Sequence, residues 1–481
     1  MMDQELILTA VAIGVPLLAA VLAAVTRRQS RAIGCVAALS SVAASALLLH
    51  ATPPTATMSA ALMLLFSCLA VVAMLALPKR DCTPSTIAGM LFLVASTLLA
   101  YSTENLMVLL TAWILTTVPF FSTQWFGAGT TRPRIGLLIS SVVLGLAIGL
   151  IALDGHAMAM HQLKGQSPGG VLVFGLLILA TIFRKGIFPV HAWVGDAAAF
   201  GPVIPTALLL NGHFGALLVA KLIVPLFPDS AHELFPVLSY LALITALYVA
   251  IRALTETSPR RLIASIALSQ SACILAGLES RTAEGMAGAV THWFVVTVST
   301  MGLFGILRLL EVRFGENLSV SRHLGLGEHA PRLAVFFMIF GLALVGLPGT
   351  LSFCSQDLLI HGALVSHPVI GLLLPVAIAM NAISVYRLFT RLFLGKHQTG
   401  FTVIADALPR ERWVLTSGVL FVVVGGLFPA AIIDLGTAVQ TKGPVAMVGP
   451  RIASGDRQAD YPFPGWHHRE TQRKPWGHLS D

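Results

Sequence analysis

The stretch FRKGIFPVHAWVGDAAAFGPVIPTALLLNGHFGALLVAK, residues 183–221, decides the fold of this chain. It is strongly apolar, yet it carries adjacent bases, two histidines, an aspartate and a further lysine. Ionisable side chains at membrane depth cost about 3 kcal/mol each on insertion scales, so they normally face a protein interior or a water path. Prolines also interrupt helix here, and a broken, charge-lined membrane helix is typical of transporters. The residues concerned are Arg184, Lys185, Pro189, His191, Asp196, Pro202, Pro205, His213 and Lys221.

The composition of the whole chain predicts a membrane protein. Its 481 residues are 56% hydrophobic and only 11% charged, whereas soluble globular chains are about 25% charged. Residues 5–26 are too long for the apolar core of a signal peptide and are followed by arginines, so they are predicted to be the first span. We expect the lipid bilayer as a partner, and the excess of basic residues requires no nucleic acid.

Hydropathy predicts fourteen transmembrane spans, since each crossing needs about 20 apolar residues. With the N-terminus outside, the inside loops hold nineteen Lys and Arg, and the outside loops hold two, Lys164 and Arg281. The positive-inside rule therefore supports both the count and the orientation. The predicted spans are 5–26, 32–50, 58–77, 84–101, 105–123, 135–153, 171–190, 203–226, 236–254, 262–279, 285–308, 332–350, 368–391 and 413–434.

Two Gly-Pro motifs indicate a weak internal symmetry. GIFPVHAWVGD (186–196) and GLPGTLSFCSQD (346–357) each end an apolar run and contain an acid at their close. They lie five spans apart, and an odd number gives them opposite membrane orientations, as inverted repeats require. We therefore expect three N-terminal spans in 1–83, inverted five-helix repeats in 84–226 and 236–395, each with one broken helix, a loop and last span in 396–434, and a polar, flexible tail in 435–481.

No motif in the sequence predicts redox or metal chemistry in this chain. The five cysteines show neither a CxxC motif nor a metal-ligand spacing, and no Gly-rich dinucleotide loop or haem signature occurs. We expect free thiols, no metal, no cofactor and no catalytic residue, so any redox reaction belongs to partner subunits. Whether the chain counts as part of an enzyme stays open. The cysteines are Cys35, Cys68, Cys82, Cys273 and Cys354.

The order of motifs resembles that of the antiporter-like membrane subunits of respiratory complex I (NADH-quinone oxidoreductase). FPVHAWVGDA (188–197) is similar to the family pattern Pro-x-His-x-Trp-x-x-Asp-Ala, and PVIPTALLLNGH (202–213) is similar to Pro-Thr-x-x-x-Ala-Leu-x-His. The resemblance extends over residues 85–395. Further matches are LLTAWILTTVPFF (109–121), SPRRLIASIALSQSACILAGL (258–278), THWFVVTVSTMGLF (291–304) and GLALVGLPGTLSFCSQDLLI (341–360).

The resemblance implies an all-α polytopic protein of the bacterial inner membrane, assembled with other membrane and cytoplasmic subunits. It also implies that a buried chain of Glu, Lys and His relays H⁺ (or Na⁺) along the bilayer midplane. Most members of that chain differ here, so the relay is degenerate. The substitutes, in chain order, are Ile114 for Glu, Arg184 for Lys, Leu210 for His, Ser258 for Asp, Val296 for His, Thr300 for Lys and Gln356 for Lys or Glu.

The remaining polar residues give two sets of candidates. An arginine does not deprotonate, so Arg184 keeps a charge but loses a relay step, which Lys185 could take over. Both bases could instead snorkel from a helix end, and each histidine could make a static hydrogen bond. The path candidates are Arg184, Lys185, His213, His292, Gln356 and Asp357. The structural helix-break candidates are Pro189, His191, Asp196, Pro202 and Pro348.

Several functions stay open at this point. The first is a membrane subunit of an energy-coupled complex that conducts H⁺ or Na⁺ by a rerouted path through Lys185, His213 and His292. The second is a scaffold subunit that no longer conducts. The third is the membrane half of an inorganic-carbon uptake pump with a cytoplasmic carbonic-anhydrase-like partner. A self-contained transporter of an organic solute is a fourth.

Overall fold

Apolar helices dominate the computed structural model, which describes residues 2–26, 29–52, 57–122, 125, 130–316, 318–396 and 406–437. Among these residues, ten helices are long and apolar enough to cross a membrane. Helices suit a bilayer because they satisfy every backbone hydrogen bond internally. The predicted all-α membrane fold is confirmed, and the chain is a multi-pass membrane protein. The predicted flexible tail lies outside the described residues from position 438 onwards.

The first half of the chain forms a run of long helices followed by shorter, interrupted ones. A π-helical turn, Val219–Ile223, joins α12 to α13. The helices are α1 (Met2–Val25), α2 (Ser30–Ala51), α3 (Thr57–Ala76), α4 (Pro84–Ser102), α5 (Leu106–Leu115), α6 (Val118–Phe121), α7 (Thr131–Leu153), α8 (Met160–Leu163), α9 (Gly170–Lys185), α10 (Ala192–Phe200), α11 (Val203–Asn211), α12 (Phe214–Leu218) and α13 (Val224–Leu226).

The second half contains the longest helices and the centre of the bundle. The helices are α14 (Pro228–Ala253), α15 (Pro259–Glu279), α16 (Ala283–Phe314), α17 (Pro331–Leu344), α18 (Leu351–Ser366), α19 (Pro368–Phe393), α20 (Pro409–Leu427) and α21 (Ala430–Thr437). In their most apolar windows, 89% of α15 and 94% of α16 is buried, against 28% of α1. The polar residues of α15 and α16 therefore lie in protein rather than in lipid.

Two helix breaks occur at the Gly-Pro motifs. Helix α9 ends at Lys185 because Gly186 adopts a left-handed backbone (φ 75°), and α10 begins only at Ala192. Helix α17 ends at Leu344, and Gly346 and Gly349 take φ values of 87° and 86° before α18 begins. Glycine adopts this conformation without the strain of a Cβ atom. Each break frees backbone groups within the bundle.

The expectation of only two broken helices was wrong. The predicted span 203–226 is interrupted at His213, whose left-handed backbone (φ 42°) ends α11 and starts α12. Span 105–123 is also interrupted: the hydroxyls of Thr116 and Thr117 each donate to a carbonyl three residues back at 2.7 Å, just before Pro119. Such side chains compete with the helical hydrogen bonds, and proline lacks an N–H.

Ion pairs fasten one end of the bundle, which we call the arginine-rich end. Arg308 of α16 donates to both carboxylate oxygens of Asp81 at 2.7 Å. Arg260 of α15 binds Glu311 of α16 through two bonds of 2.6 and 2.7 Å. Two-bond arginine–carboxylate pairs of this kind fix orientation as well as distance. The central helices are thereby tied to the connection between α3 and α4.

Candidate functional site

Lys185 and His213 are in direct contact at the first helix break. The Lys185 Nζ lies 3.1 Å from the His213 Nδ1. Both residues are buried, with 6% and 4% of their surfaces exposed. Two positive charges this close in a protein interior would repel each other strongly. The contact therefore disfavours a positive charge on both side chains at the same time.

A hydrogen-bonded series continues from His213 towards α15. Ser271 of α15 places its Oγ 3.4 Å from the His213 Nδ1. The next residue back, Gln270, places its Oε1 3.1 Å from the Nε2 of His292 on α16. Ser271 and Gln270 are neighbours in the chain, so α15 presents one polar group to each histidine. Both histidines consequently border the same buried strip of α15.

His292 is arranged to accept two protonation states. Its Nδ1 lies 3.0 Å from the Ser355 Oγ of α18, and the Ser355 Oγ is also 2.9 Å from the Ser352 carbonyl. When His292 is neutral with its proton on Nε2, Ser355 donates to Nδ1. When His292 is doubly protonated, Nδ1 donates to Ser355, which turns its own proton to the carbonyl. A single hydroxyl rotation thus accommodates either state.

The two candidates on α18 differ in position. Gln356 is buried, and its Nε2 donates to the Leu344 carbonyl at 3.3 Å, where α17 has broken off. Asp357 points elsewhere: 61% of its side chain is exposed, and it lies 3.4 Å from His361. One residue turns a helix by about 100°. Asp357, a predicted path candidate, therefore lies on an exposed face of α18, outside the buried series.

Arg184 does not snorkel to a membrane surface. Only 6% of it is exposed, and its Nη2 donates to the Thr116 Oγ1 at 2.6 Å. Its guanidinium lies over the rings of Trp113 and Phe214, at 5.1 and 4.7 Å from their centroids. Ile114, which stands where the resemblance implies a glutamate, is 42% exposed and faces away. Aromatic faces and a hydroxyl thus surround a charge that cannot be released.

Comparison with known proteins gives this arrangement its context. Residues 130–381 match the model of the NADH:quinone oxidoreductase/Mrp antiporter transmembrane family. The chain belongs to this family. It is 27% identical to NADH-quinone oxidoreductase subunit M of Mycobacterium tuberculosis (strain H37Rv), over 66% of this chain and 61% of that protein. It is 26% identical to subunit N of Rhodococcus opacus, over 65% and 58%. The chain thus spans less than two thirds of the length of these relatives.

Solved structures share the fold. A chain of respiratory complex I from Thermus thermophilus superimposes with a TM-score of 0.80 at 23% identity, over 90% of this chain and 98% of that one. A chain of the Mrp complex from Dietzia sp. DQ12-45-1b gives 0.80 at 19% identity, over 90% and 97%. The family resemblance inferred from the sequence motifs is therefore confirmed.

The structural candidates around the first break fall into two groups. Pro189 and His191 lie in or beside the gap between α9 and α10, where the His191 ring stacks on Phe188 with centroids 5.8 Å apart and meets Tyr248 edge-on. Pro202 precedes α11, as Pro348 precedes α18 in the later break. The imidazole of His191 therefore packs among aromatic rings rather than joining the Lys185 series.

Asp196, a candidate for the first helix break, does not lie in the gap between α9 and α10. It lies inside α10 and accepts hydrogen bonds from Arg261 at 3.0 Å and from Arg132 at 3.3 Å. Two guanidinium partners fix the position of this carboxylate between neighbouring helices. Asp196 thus joins α10 to α7 and α15 at the arginine-rich end of this family member.

Sequence reasoning missed three buried polar contacts. Glu279, the last residue of α15, is 2% exposed and accepts from Ser239 at 2.6 Å. Thr300 donates to Asn211 at 2.7 Å, directly beside the interruption at His213. Lys221 donates to the Tyr101 carbonyl at 2.8 Å and pairs with Glu104 at 3.3 Å. The sequence offers one signal for these contacts, the acid Glu279 at the end of an apolar span. An acid at that position is equally typical of a span boundary.

Proposed function

We propose that this chain is a membrane subunit of an energy-coupled complex and carries protons through its interior. The observation that carries the proposal is the Lys185–His213 contact of 3.1 Å. Beside it, adjacent residues of α15 contact the two histidines, Ser271 at His213 and Gln270 at His292. Histidine exchanges protons near neutral pH, and a buried lysine can do so as well. The relatives include NADH-quinone oxidoreductase subunits and an Mrp complex, which supports a role in H⁺ or Na⁺ transport with other membrane and cytoplasmic subunits as partners.

We further propose the fourteen-span topology with the N-terminus outside, in a bacterial inner membrane. When the interrupted pairs α5–α6, α9–α10 and α17–α18 and the series α11–α13 each count as one crossing, the described long helices group into fourteen. The arginine-rich end then faces the cytoplasm, in agreement with the positive-inside rule. The five-span separation of the breaks supports inverted repeats in 84–226 and 236–395.

The proposed path runs laterally through three titratable groups. A proton shared by Lys185 and His213 passes by way of the Ser271 hydroxyl and water to the α15 strip. His292 is the next group that binds the proton. Rotation of the Ser355 hydroxyl maintains the hydrogen bond at the His292 Nδ1 in both protonation states. Gln356 lies beyond Ser355 and can orient water but cannot itself release a proton at neutral pH.

Arg184 has a separate, structural role in this proposal. Its guanidinium joins α5, through Thr116 and Trp113, to the start of α12 at Phe214. It thereby holds the first break in the geometry that brings Lys185 to His213. Since arginine keeps its proton, Arg184 supplies a fixed charge beside the path and no relay step.

The test is proton uptake by the purified protein in liposomes under an imposed membrane potential. We expect His213→Ala and His292→Ala each to lower the uptake at least fivefold. The matched control is His191→Ala, which removes a half-buried imidazole outside the series and is expected to lower yield rather than flux. Equal flux in both path variants and in wild type would overturn the proposed route.

A non-conducting scaffold is the second candidate. It is favoured by one observation: the charge of Arg184 has aromatic and hydroxyl partners where a titratable pair is implied by the resemblance. In that case wild type would show no proton uptake, although the partner subunits would still co-purify with it. The inorganic-carbon alternative gains no support from the relatives named above.

A further inference from the structure

A large apolar groove lies away from the proton path. It has a volume of about 520 Å³ and lies between α2, α3, α16 and α20. Its walls include Leu39, Leu65, Phe294, Gly305 and Phe421, and hardly any polar surface reaches it. None of Lys185, His213 or His292 borders it. The groove is therefore separate from the proposed transport site.

Two arginines stand at one end of the groove. On α20, Arg410 lies one turn before Val414, and on α2, Arg31 lies two turns before Leu39; both apolar residues line the groove. Residues four or eight apart share a helix face. Arg31 also donates to the carbonyls of Leu75 and Leu77 at 3.0 and 2.9 Å, on either side of the groove residue Ala76. Both guanidiniums thus lie at the arginine-rich end of the groove.

The positive charge at this end is poorly neutralised. The bonds of Arg31 go to neutral carbonyls. Arg410 lies 4.0 Å from Glu411, whose other oxygen is bound by Arg313 at 2.6 Å. The buried Nε of Arg410 has no hydrogen-bond partner among the described residues. The position that both guanidiniums approach therefore suits a ligand with an acceptor oxygen.

The connection between α3 and α4 lies within the electrostatic field of both arginines. Burial raises the pKa of the Cys82 thiol, and the positive charges of Arg31 and Arg410 oppose that rise. Both charges therefore act on a single point outside the spans. An anion at this point would satisfy both guanidiniums at once, and phosphate oxygens match their geometry.

We propose that the groove binds one anionic phospholipid, with an acyl chain along its apolar walls and the phosphate at Arg31 and Arg410. The apolar volume requires a long hydrocarbon, and the uncompensated arginine pair requires a negative headgroup. Basic sites between membrane helices on the cytoplasmic side are suited to such headgroups. The acyl chain would then fill the space enclosed by α2, α3, α16 and α20.

The experiment counts retained lipid by native mass spectrometry after purified chain is incubated with equal amounts of phosphatidylglycerol and phosphatidylcholine. We expect one phosphatidylglycerol to remain bound, with at least tenfold preference over phosphatidylcholine. Arg410→Gln should reduce that preference to below threefold, and Arg410→Lys should keep most of it. Arg322→Gln removes an exposed basic residue from a connection outside the groove and serves as the matched charge control.

A second variant tests the apolar half of the site. Gly305 has open space where a side chain would begin, so Gly305→Leu fills the groove while both arginines remain. We expect it to lose the bound lipid without lowering proton uptake. Retention of phosphatidylglycerol by Gly305→Leu, or equal retention of the two lipids by wild type, would overturn the proposal. So would a wild-type protein that retains neither lipid.

Discussion

The two Gly-Pro breaks share a backbone design but differ in chemistry. The break after α9 brings Lys185 within 3.1 Å of His213, so two titratable side chains are in contact. The break after α17 brings Gln356 to the Leu344 carbonyl at 3.3 Å, and Asp357 turns outwards. The same interruption of a helix thus serves a titratable pair in one half and a static hydrogen bond in the other. Proton handling is expected to be concentrated between α9 and α16.

The largest effect is expected from removing the base at the first break. Lys185→Met leaves His213 without the partner that shares its proton, while keeping a side chain of similar length. We expect proton uptake in liposomes to fall at least tenfold, equivalent to about 1.4 kcal/mol in the barrier. Uptake within twofold of wild type would show that the first break contributes no more to proton transport than the second.

A smaller effect is expected where the path meets the second break. Ser355→Ala removes the hydroxyl that serves the Nδ1 of His292 in both protonation states. We expect proton uptake to fall about three- to tenfold, as is usual for a group that assists proton transfer without carrying the charge. Ser352, one turn away, gives the matched control, since its hydroxyl makes only a long bond of 3.5 Å to Leu344. Equal losses in Ser355→Ala and Ser352→Ala would point to packing instead.

Arg184 should affect stability rather than flux. Arg184→Lys keeps the charge but loses the planar contact with Trp113 and Phe214. A desolvated cation–π contact contributes about 2 kcal/mol, so we expect the free energy of unfolding to fall by about 1–2 kcal/mol. Denaturant titration in detergent measures it. A loss of uptake beyond the loss of folded protein would assign Arg184 to the path itself.

The smallest effect is expected at Asp357. Asp357→Asn removes a charge that lies 3.4 Å from His361 on an exposed helix face. Exposed pairs contribute about 0–1 kcal/mol, so uptake and stability should both stay close to wild type. A fivefold loss of uptake would mean that the second break carries a proton after all, and the contrast between the breaks would then disappear.

Local signals in the sequence predicted the helices and the two Gly-Pro breaks, because both depend on neighbouring residues. The interruption at His213 escaped prediction, since a left-handed histidine has no sequence signature as clear as glycine. The predicted span 203–226 treats that residue as part of a continuous helix. Its contact with Lys185 joins positions far apart in the chain, as do the contacts of Glu279 with Ser239 and of Arg184 with Trp113. Tertiary packing determines these contacts, and no local sequence pattern encodes tertiary packing.

The most direct test of the central claim is a double-mutant cycle on proton uptake with His213→Ala and His292→Ala. If both histidines lie on one path, either substitution interrupts it, and the double variant loses no more than the more damaging single one. The account predicts that non-additive result, with each single variant at least fivefold below wild type. Losses that multiply in the double variant would place the histidines on independent routes and contradict the account.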